Sequence, residues 1–367
     1  MGSDINFIRM IFINDTYKCT RHIRRDRHSR GDSLKKLSIL FLMIFFAIIG
    51  LPALITVFFE GNKTGGAITS EKESIEDNNI LTIKVLNEES QEIMEMDFEE
   101  YIKGVVAAEM PASFELEALK AQAVAARTYA IRKMKQNKNK EGADISTDSF
   151  KGQAYLSLEQ LKEKWGDNFY AYYNKISQAV EETKGEIMLY EEEPIEAVFH
   201  STSAGITQSA RDIWQVDVPY LQSVESVGEE ESPAFMEEKR ILKKEVVESL
   251  KRKYPDIMIQ DLIGQIQIIE RTEGGYIKKI QIGNKIFSGE EVRYLLNLKS
   301  SCFTIKEDGD TLIFVTKGYG HGAGMSQYGA NYMAKEGKVY TDILKHYYQG
   351  VEIKSLEDIE GNLFKNE

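Results

Sequence analysis

Cysteine is scarce in this sequence, since its 367 residues contain only Cys19 and Cys302. Two thiols cannot build a cysteine-rich metal cluster or a disulfide framework, so both are excluded. Phosphate-binding patterns are also missing, because the glycine-rich stretch 318–330 matches neither G-x-x-x-x-G-K-[ST] nor G-x-G-x-x-G. No G-x-S-x-G elbow occurs either, which argues against a serine hydrolase of the α/β-hydrolase type.

Charge of one sign dominates most of the chain. Residues 1–36 carry nine Lys or Arg and four Asp, whereas the remainder carries 37 Lys or Arg against 54 Asp or Glu. An acidic body argues against nucleic acid as a partner, because that binding depends on neutralising phosphates.

One long uncharged stretch covers residues 37–59 and has 23 residues, enough for a helix that crosses a bilayer. A cleaved signal peptide would usually have a shorter apolar region followed by a small-x-small site, so we favour a retained anchor. Basic residues crowd its N-terminal side, which predicts a cytoplasmic tail at 1–36, a transmembrane anchor at 37–59 and a linker at 60–79. Cys19 and Cys302 would then lie on opposite sides of the membrane.

Hydrophobic patterning after the anchor predicts an α+β fold: a two-lobed mixed α/β extracytoplasmic domain with a cleft. We expect a catalytic lobe at 80–227 and a second lobe at 228–317. A glycine-rich loop and C-terminal helices at 318–354 would complete the catalytic cleft, before a tail at 355–367. Strands at 186–190 and 195–201 would form a hairpin, and 229–232 would be a surface loop.

Glu109 is the most conspicuous candidate catalytic residue. It ends an apolar helix that Asp97 can cap, two residues before Pro111. The negative end of the helix dipole and the apolar neighbours both favour the protonated acid, the state that a general acid needs. The alternative is a solvent-exposed glutamate without a role.

Polar residues elsewhere could bind the hydroxyl and amide groups of a sugar. The following helix carries Lys120 and Arg127 on one face, and two Ser- or Gly-rich stretches contain His200 with Ser203 and His321 with Ser326 and Gln327. Two histidines without a third ligand at a usual spacing do not predict a metal site.

Three blocks carry a family resemblance: VVAAEMP…EALKAQAVAARTYA, FHSTSAG…W…VPYLQSV and GYGHGAGMSQYGA…ILKHYY. They resemble the SpoIID/LytB family. The resemblance implies a lytic transglycosylase that cuts the MurNAc–GlcNAc bond of peptidoglycan during sporulation, when the mother-cell membrane engulfs the forespore. The family's catalytic glutamate falls on Glu109, its basic residues on Lys120 and Arg127, and its tyrosine on Tyr220. Gln222 stands where relatives can carry lysine.

The same resemblance implies peptidoglycan glycan strands as substrate, and the amidase SpoIIP and the membrane protein SpoIIM as partners. Together with Glu109 as the catalytic acid, it predicts a set of substrate-binding residues: Lys120, Arg127, His200, Ser203, Tyr220, His321, Ser326 and Gln327. Some relatives bind zinc through Cys and His in the loop before QAY. That loop, 145–155, has neither here, so we expect no metal and no cofactor.

Two other functions fit the same residues. A glycoside hydrolase usually needs a second carboxylate, for which Asp212 is the best candidate. A non-enzymatic glycan-binding protein that activates an amidase is the other. Burial of Glu109 in a cleft favours an enzyme, whereas full exposure favours the binding protein.

Overall fold

A computed structural model describes residues 81–137, 142–148 and 152–363, with side chains up to 359. The predicted tail, anchor and linker at 1–79 lie outside these residues. Among the residues that are described, none of the helices has the length and apolar character needed to cross a membrane. The domain boundaries and the anchor stay predictions.

The first half of the described chain is mixed α and β, as predicted. Its elements run in this order: β1 Thr82–Asn87, β2 Glu92–Asp97, α1 Phe98–Glu109, α2 Leu116–Asn137, β3 Ile145–Ser146, α3 Leu158–Trp165, α4 Phe169–Glu181, β4 Glu186–Tyr190, β5 Glu193–Pro194, β6 Phe199–His200 and α5 Ala210–Trp214. β1 and β2 form an antiparallel hairpin, with Thr82 opposite Asp97. Asp97 caps α1 by accepting a hydrogen bond from the Glu100 N–H at 2.9 Å, as the sequence predicts.

The second half adds the remaining sheets and helices. They are β7 Met236–Leu242, α6 Lys243–Lys253, β8 Ile266–Arg271, β9 Ile277–Ile282, β10 Lys285–Phe287, α7 Gly289–Leu296, β11 Phe303–Asp308, β12 Thr311–Lys317, β13 Met325–Ser326, α8 Gln327–Lys335, α9 Tyr340–Tyr347, β14 Glu352–Ser355 and α10 Leu356–Leu363. The described strands form small sheets in the orders β2-β1-β3, β14-β4-β5, β13-β6, β11-β12-β7 and β10-β9-β8.

Two hydrophobic clusters organise these elements. The larger one contains the buried faces of α1, α2 and α4 with β4 and α9, and the alanines of α2 are fully buried within it. Small side chains let neighbouring helices approach closely, so the alanine-rich pattern fits this central position. The smaller cluster joins α6 and α7 to the sheets of β7–β12.

Two local predictions are wrong. β4 pairs with the short β5, and β6 instead runs parallel to β13, with Phe199 opposite Met325. The turn at 229–232 was predicted to be a surface loop, but both of its ends are buried: Glu229 is 1% exposed and Ser232 is 4% exposed. Contacts with parts of the chain at least 26 positions away contribute to both cases, and local patterning does not record them.

Candidate active site

A cleft of about 440 Å³ lies at the C-terminal end of α1. Its lining comes from four separate parts of the chain: Glu109, Pro111, Phe199, His200, Ser201, Ser232, Pro233, Ala234, Tyr319, Gln327 and Tyr328. Of these described residues, Glu109 is the one carboxylic acid. Hydroxyls, an imidazole, an amide and aromatic rings surround it, which is a surface suited to a sugar.

The loop after β3 fixes the position of Glu109. The Leu156 N–H donates to the Gly104 carbonyl at 3.3 Å, and the ring of Tyr155 stacks on Tyr101 with centroids 5.7 Å apart. This holds the loop against α1, so that the Ala154 N–H donates to Glu109 Oε1 at 2.9 Å. One carboxylate oxygen is therefore oriented by backbone.

The electrostatic setting of Glu109 favours its protonated form. Burial raises the pKa of the Glu109 carboxyl above its ordinary value, and the hydrogen bond from Ala154 only partly offsets this. Glu109 is half-buried, and no cation bonds to it among the described contacts. A protonated acid at the edge of a cleft is the state that general acid catalysis requires.

His200 and His321 lie side by side, with ring centroids 5.7 Å apart. A carbonyl oxygen can only accept, so His200 Nδ1–H donates to the Ala323 carbonyl at 3.0 Å. Its Nε2 is buried and has no hydrogen-bond partner within the described part of the chain. Burial lowers the pKa of His200 to about 3, with the neighbouring His321 adding to the effect, so the ring is neutral at pH 7.

The glycine-rich loop follows β12 and brings these histidines together. Gly320 has φ +115°, and a Cβ at this position would lie 2.7 Å from His200 Cβ. Only glycine tolerates both the backbone angle and the close approach. The Ala323 N–H donates to His321 Nδ1 at 3.1 Å, which orients the second ring.

Two cleft serines are joined by a buried threonine. Ser201 Oγ lies 3.1 Å from Thr202 Oγ1, which lies 2.7 Å from Ser232 Oγ. We call Ser201, Thr202 and Ser232 the hydroxyl wall. Ser232 comes from a turn that the sequence places on the surface, so patterning could not assign it to the site.

Aromatic lining residues were also not predicted as a group. Phe199, Tyr319 and Tyr328 all line the cleft, and Tyr319 is 38% exposed with Lys299 Nζ 4.2 Å from its ring centre. Their signal in the sequence is weak, because Phe199 and Tyr319 are 120 positions apart and meet only through the pairing of their loops.

Arg127 and Lys120 do not line this cleft. Arg127 is fully buried and its guanidinium binds the Glu99 carboxylate through Nε at 2.9 Å and Nη2 at 2.8 Å. Its Nη1 donates to the Glu186 carbonyl at 3.0 Å. Lys120 pairs with Glu117 and Glu182, each at 2.7 Å. These contacts fit a structural role, in contrast to the predicted contact with glycan.

Ser203, Tyr220 and Ser326 likewise support the site from outside the cleft lining. The Ser203 hydroxyl accepts from the Gly205 N–H, and Ser326 caps α8 by accepting from the Gly329 N–H at 3.3 Å. The Tyr220 hydroxyl accepts from the Glu196 N–H at 3.0 Å. Of the predicted set, Glu109, His200 and Gln327 line the cleft, and His321 adjoins it.

Asp212 is also outside the cleft lining. It pairs with Lys278 at 3.0 Å and accepts from the Ser209 hydroxyl at 2.8 Å. Burial would raise the pKa of the Asp212 carboxyl, but the bonds to Lys278 and Ser209 outweigh it and lower the pKa. Within the described ranges, no group of three or more His, Cys, Asp or Glu side chains is arranged to hold a metal ion.

The fold and the cleft define an α+β protein with one half-buried acid in a polar and aromatic site. Residues 86–190 match the SpoIID family model, described as stage II sporulation protein. The chain is 37% identical to stage II sporulation protein D of Bacillus subtilis, over 88% of this chain and 97% of the relative. The Bacillus amyloliquefaciens protein of that name is 41% identical over 80% of this chain and 83% of its own length. The chain therefore belongs to the SpoIID family of sporulation proteins.

A more distant relative carries a different name. The amidase enhancer of Bacillus subtilis is 28% identical over 69% of this chain and 40% of its own length.

Proposed function

We propose that this protein is a lytic transglycosylase that cleaves the MurNAc–GlcNAc bond of denuded peptidoglycan glycan strands during engulfment. The observation that carries the proposal is Glu109: the one acid among the described cleft residues, held by the Ala154 N–H and with a raised pKa. An enzyme that uses water as its nucleophile usually needs two carboxylates, whereas an intramolecular attack can proceed with one.

The reaction needs two proton transfers, and Glu109 takes part in both. Protonated Glu109 gives its proton to the glycosidic oxygen as the bond to C1 breaks. The resulting carboxylate takes the proton of the MurNAc C6 hydroxyl, whose oxygen closes on C1. The products are a free GlcNAc hydroxyl and a 1,6-anhydro-MurNAc end, and Glu109 is protonated again.

The surrounding residues suit the sugar on either side of that bond. His200 Nε2 has an unused lone pair for a hydroxyl or amide N–H, and Gln327 adds a side-chain amide. Tyr319 presents a partly exposed ring to the faces of sugars. We propose further that residues 37–59 anchor the enzyme, with its catalytic part outside the cytoplasmic membrane, and that SpoIIP and SpoIIM are its partners.

A glycan-binding activator of an amidase is the second candidate, because a relative over 69% of the chain is named an amidase enhancer. Half-burial of Glu109 with a raised pKa favours the enzyme, since a binding module has no need of a protonated carboxyl.

The first prediction concerns products from purified glycan strands freed of stem peptides. The full-length protein should release fragments ending in 1,6-anhydro-MurNAc, read by mass spectrometry. Glu109→Gln keeps the shape but removes the transferable proton, and should lower the rate by on the order of 10² to 10⁴. Glu115→Gln, an exposed acid nearby in the sequence, is the matched control and should cleave normally.

Reducing MurNAc ends would reassign the protein to the hydrolases and require a second carboxylate. Equal cleavage by wild type and Glu109→Gln would remove the central role of Glu109. Glycan binding without any cleavage, combined with stimulation of an added amidase, would favour the activator.

A further inference from the structure

Glu229 is a buried carboxyl that the proposed reaction does not use. It begins the 3₁₀ turn Glu229–Glu231 and is 1% exposed. The Ser203 N–H donates to its Oε2 at 2.9 Å, and Ser226 Oγ lies within hydrogen-bond distance of its Oε1. The hydroxyl of Ser326 is also bonded to it. Burying a carboxyl costs free energy of folding unless it is hydrogen-bonded, and here its bonds connect three separate segments of the chain.

Each segment that Glu229 holds contributes to the cleft. Ser203 directly follows Thr202 of the hydroxyl wall. The Ser232 N–H donates to the Glu229 carbonyl at 3.0 Å, so the same turn places Ser232. Ser326 caps α8, whose first residue is Gln327.

α8 and α9 close around the same group. Ser226 Oγ lies 2.8 Å from the Tyr347 hydroxyl of α9. A Cβ at Gly329 of α8 would lie 2.2 Å from the Tyr347 hydroxyl, 2.4 Å from Ser226 Oγ and 2.9 Å from Glu229 Oε1. The two helices are thus seated directly on the Glu229 network.

We propose that Glu229 is the positioning residue that holds Ser201, Ser232 and Gln327 in the geometry that binds glycan. The inference rests on the proposed function for its substrate and on the described contacts for its geometry. Glu229 touches no reacting atom and acts through the hydroxyl wall and the start of α8.

The protonation state of Glu229 supports this role. Burial raises the pKa of Glu229 to about 7, against opposing hydrogen bonds from Ser226, Ser326 and Ser203. The titratable groups that face it are Tyr347, Tyr276 and Glu230, and none of them is a cation. When Glu229 is protonated, its carboxyl O–H donates a hydrogen bond to Ser226 Oγ. The Ser226 O–H then donates to the Tyr347 hydroxyl oxygen.

Linkage gives a test that does not depend on catalysis. While the hydroxyl wall is closed, the buried Glu229 carboxyl keeps its proton up to about pH 7. When the wall opens and water reaches Glu229, its pKa returns to the ordinary value of 4.5. Opening should therefore become roughly fortyfold easier between pH 5 and pH 7. Hydrogen exchange of the segment 226–234, which carries Glu229 and contains no histidine, measures this once it is corrected for intrinsic rates. Glu229→Gln should abolish the pH dependence, and Glu230→Gln, which alters an exposed neighbour, should keep it.

Kinetics on purified glycan strands separates positioning from simple destabilisation. Glu229→Ala leaves the Ser203 N–H and Ser226 without a partner and should raise KM at least tenfold, with little change in the kcat of the folded protein. Glu229→Gln keeps an acceptor and a donor in place and should restore KM to within about threefold of the wild type. A purely structural role would lower the active fraction and leave KM unchanged.

The hydrogen-exchange and kinetic experiments distinguish failure of the positioning role from failure of the proposed reaction. If exchange at 226–234 has the same pH dependence in wild type and Glu229→Gln, or if Glu229→Ala binds and cleaves with a normal KM, the positioning role is refuted. If no variant cleaves glycan but the exchange pattern is as expected, the proposed reaction fails while the assignment of Glu229 stands.

Discussion

A carboxyl group at the end of an apolar helix is in an unfavourable place for a charge, and Glu109 occupies this position with a single backbone donor. The same neighbours that bury α1 raise the pKa of Glu109. Stability and chemistry therefore share one cause, because the helix that packs the core also raises the pKa of the acid.

Arg127 allows a prediction at the same scale. Removal of one partner from its buried pair with Glu99 leaves an uncompensated charge, so Arg127→Ala should lower the free energy of unfolding by about 3–5 kcal/mol. Arg127→Lys should restore little, since a lysine cannot reproduce the forked contact. Arg132, half-buried and paired with Glu196, is the control, and Arg132→Ala should cost about 1 kcal/mol or less.

Urea unfolding of the three variants measures these values. An Arg127→Ala protein of normal stability but greatly weakened glycan binding would return Arg127 to the substrate-binding residues. The sequence identified Arg127 as important through its family block, but its partner Glu99 is 28 positions away. Only packing of α1 against α2 shows that the guanidinium is enclosed.

At the scale of elements, helices and hairpins depend on neighbours close in sequence, so periodicity and turn residues can indicate them. α1, α7 and the β8–β9 and β11–β12 hairpins all follow from patterning and turn residues. The parallel pair of β6 and β13 does not, because its strands have two residues each and are 124 residues apart. The cleft depends on that pair, and of its eleven lining residues the sequence predicted Glu109, His200 and Gln327.

Gly329 provides the prediction for this scale. Gly329→Ala would push a methyl group into Tyr347 and Ser226, and should lower the stability by about 1–3 kcal/mol through overpacking. The displacement reaches Glu229, so KM for glycan should rise as well.

Gly337→Ala is the matched control for that variant. It meets open space but has φ +83°, so backbone strain should destabilise the fold by about 1–2 kcal/mol and leave KM unchanged. A normal KM in Gly329→Ala would show that α8 is not coupled to the glycan site.

Across the whole molecule, one buried tyrosine next to β9 connects the sheet of β8, β9 and β10 to the site. Tyr276 belongs to the edge of β9, and its hydroxyl accepts from the Ala204 N–H at 2.8 Å. A Cβ at Gly322 would lie 2.9 Å from the Tyr276 ring and hydroxyl. Tyr276, which directly precedes Ile277 of the smaller cluster, thereby contacts both loops that carry the two histidines, a role that the sequence alone does not indicate.

The pH dependence of global stability follows from the groups that support the cleft. Burial lowers the pKa of His200 to about 3 and of His321 to about 4, from 6.5. Between pH 6.5 and 4.5 the unfolded chain binds these two protons and the native protein does not, so stability falls as the pH falls. Glu229 acts in the opposite sense, because the native protein keeps its proton up to about pH 7.

With two histidines opposed by one carboxyl, these groups should reduce the free energy of unfolding by about 1.4 kcal/mol per pH unit over that interval. Denaturant titrations at pH 6.5, 5.5 and 4.5 measure the slope. His321→Gln should bring the slope close to zero, and Glu229→Gln should roughly double it. Both expectations hold whatever each substitution does to the free energy of unfolding at pH 6.5. Parallel slopes in all three proteins would contradict the assignment of neutral, buried histidines beside a protonated carboxyl.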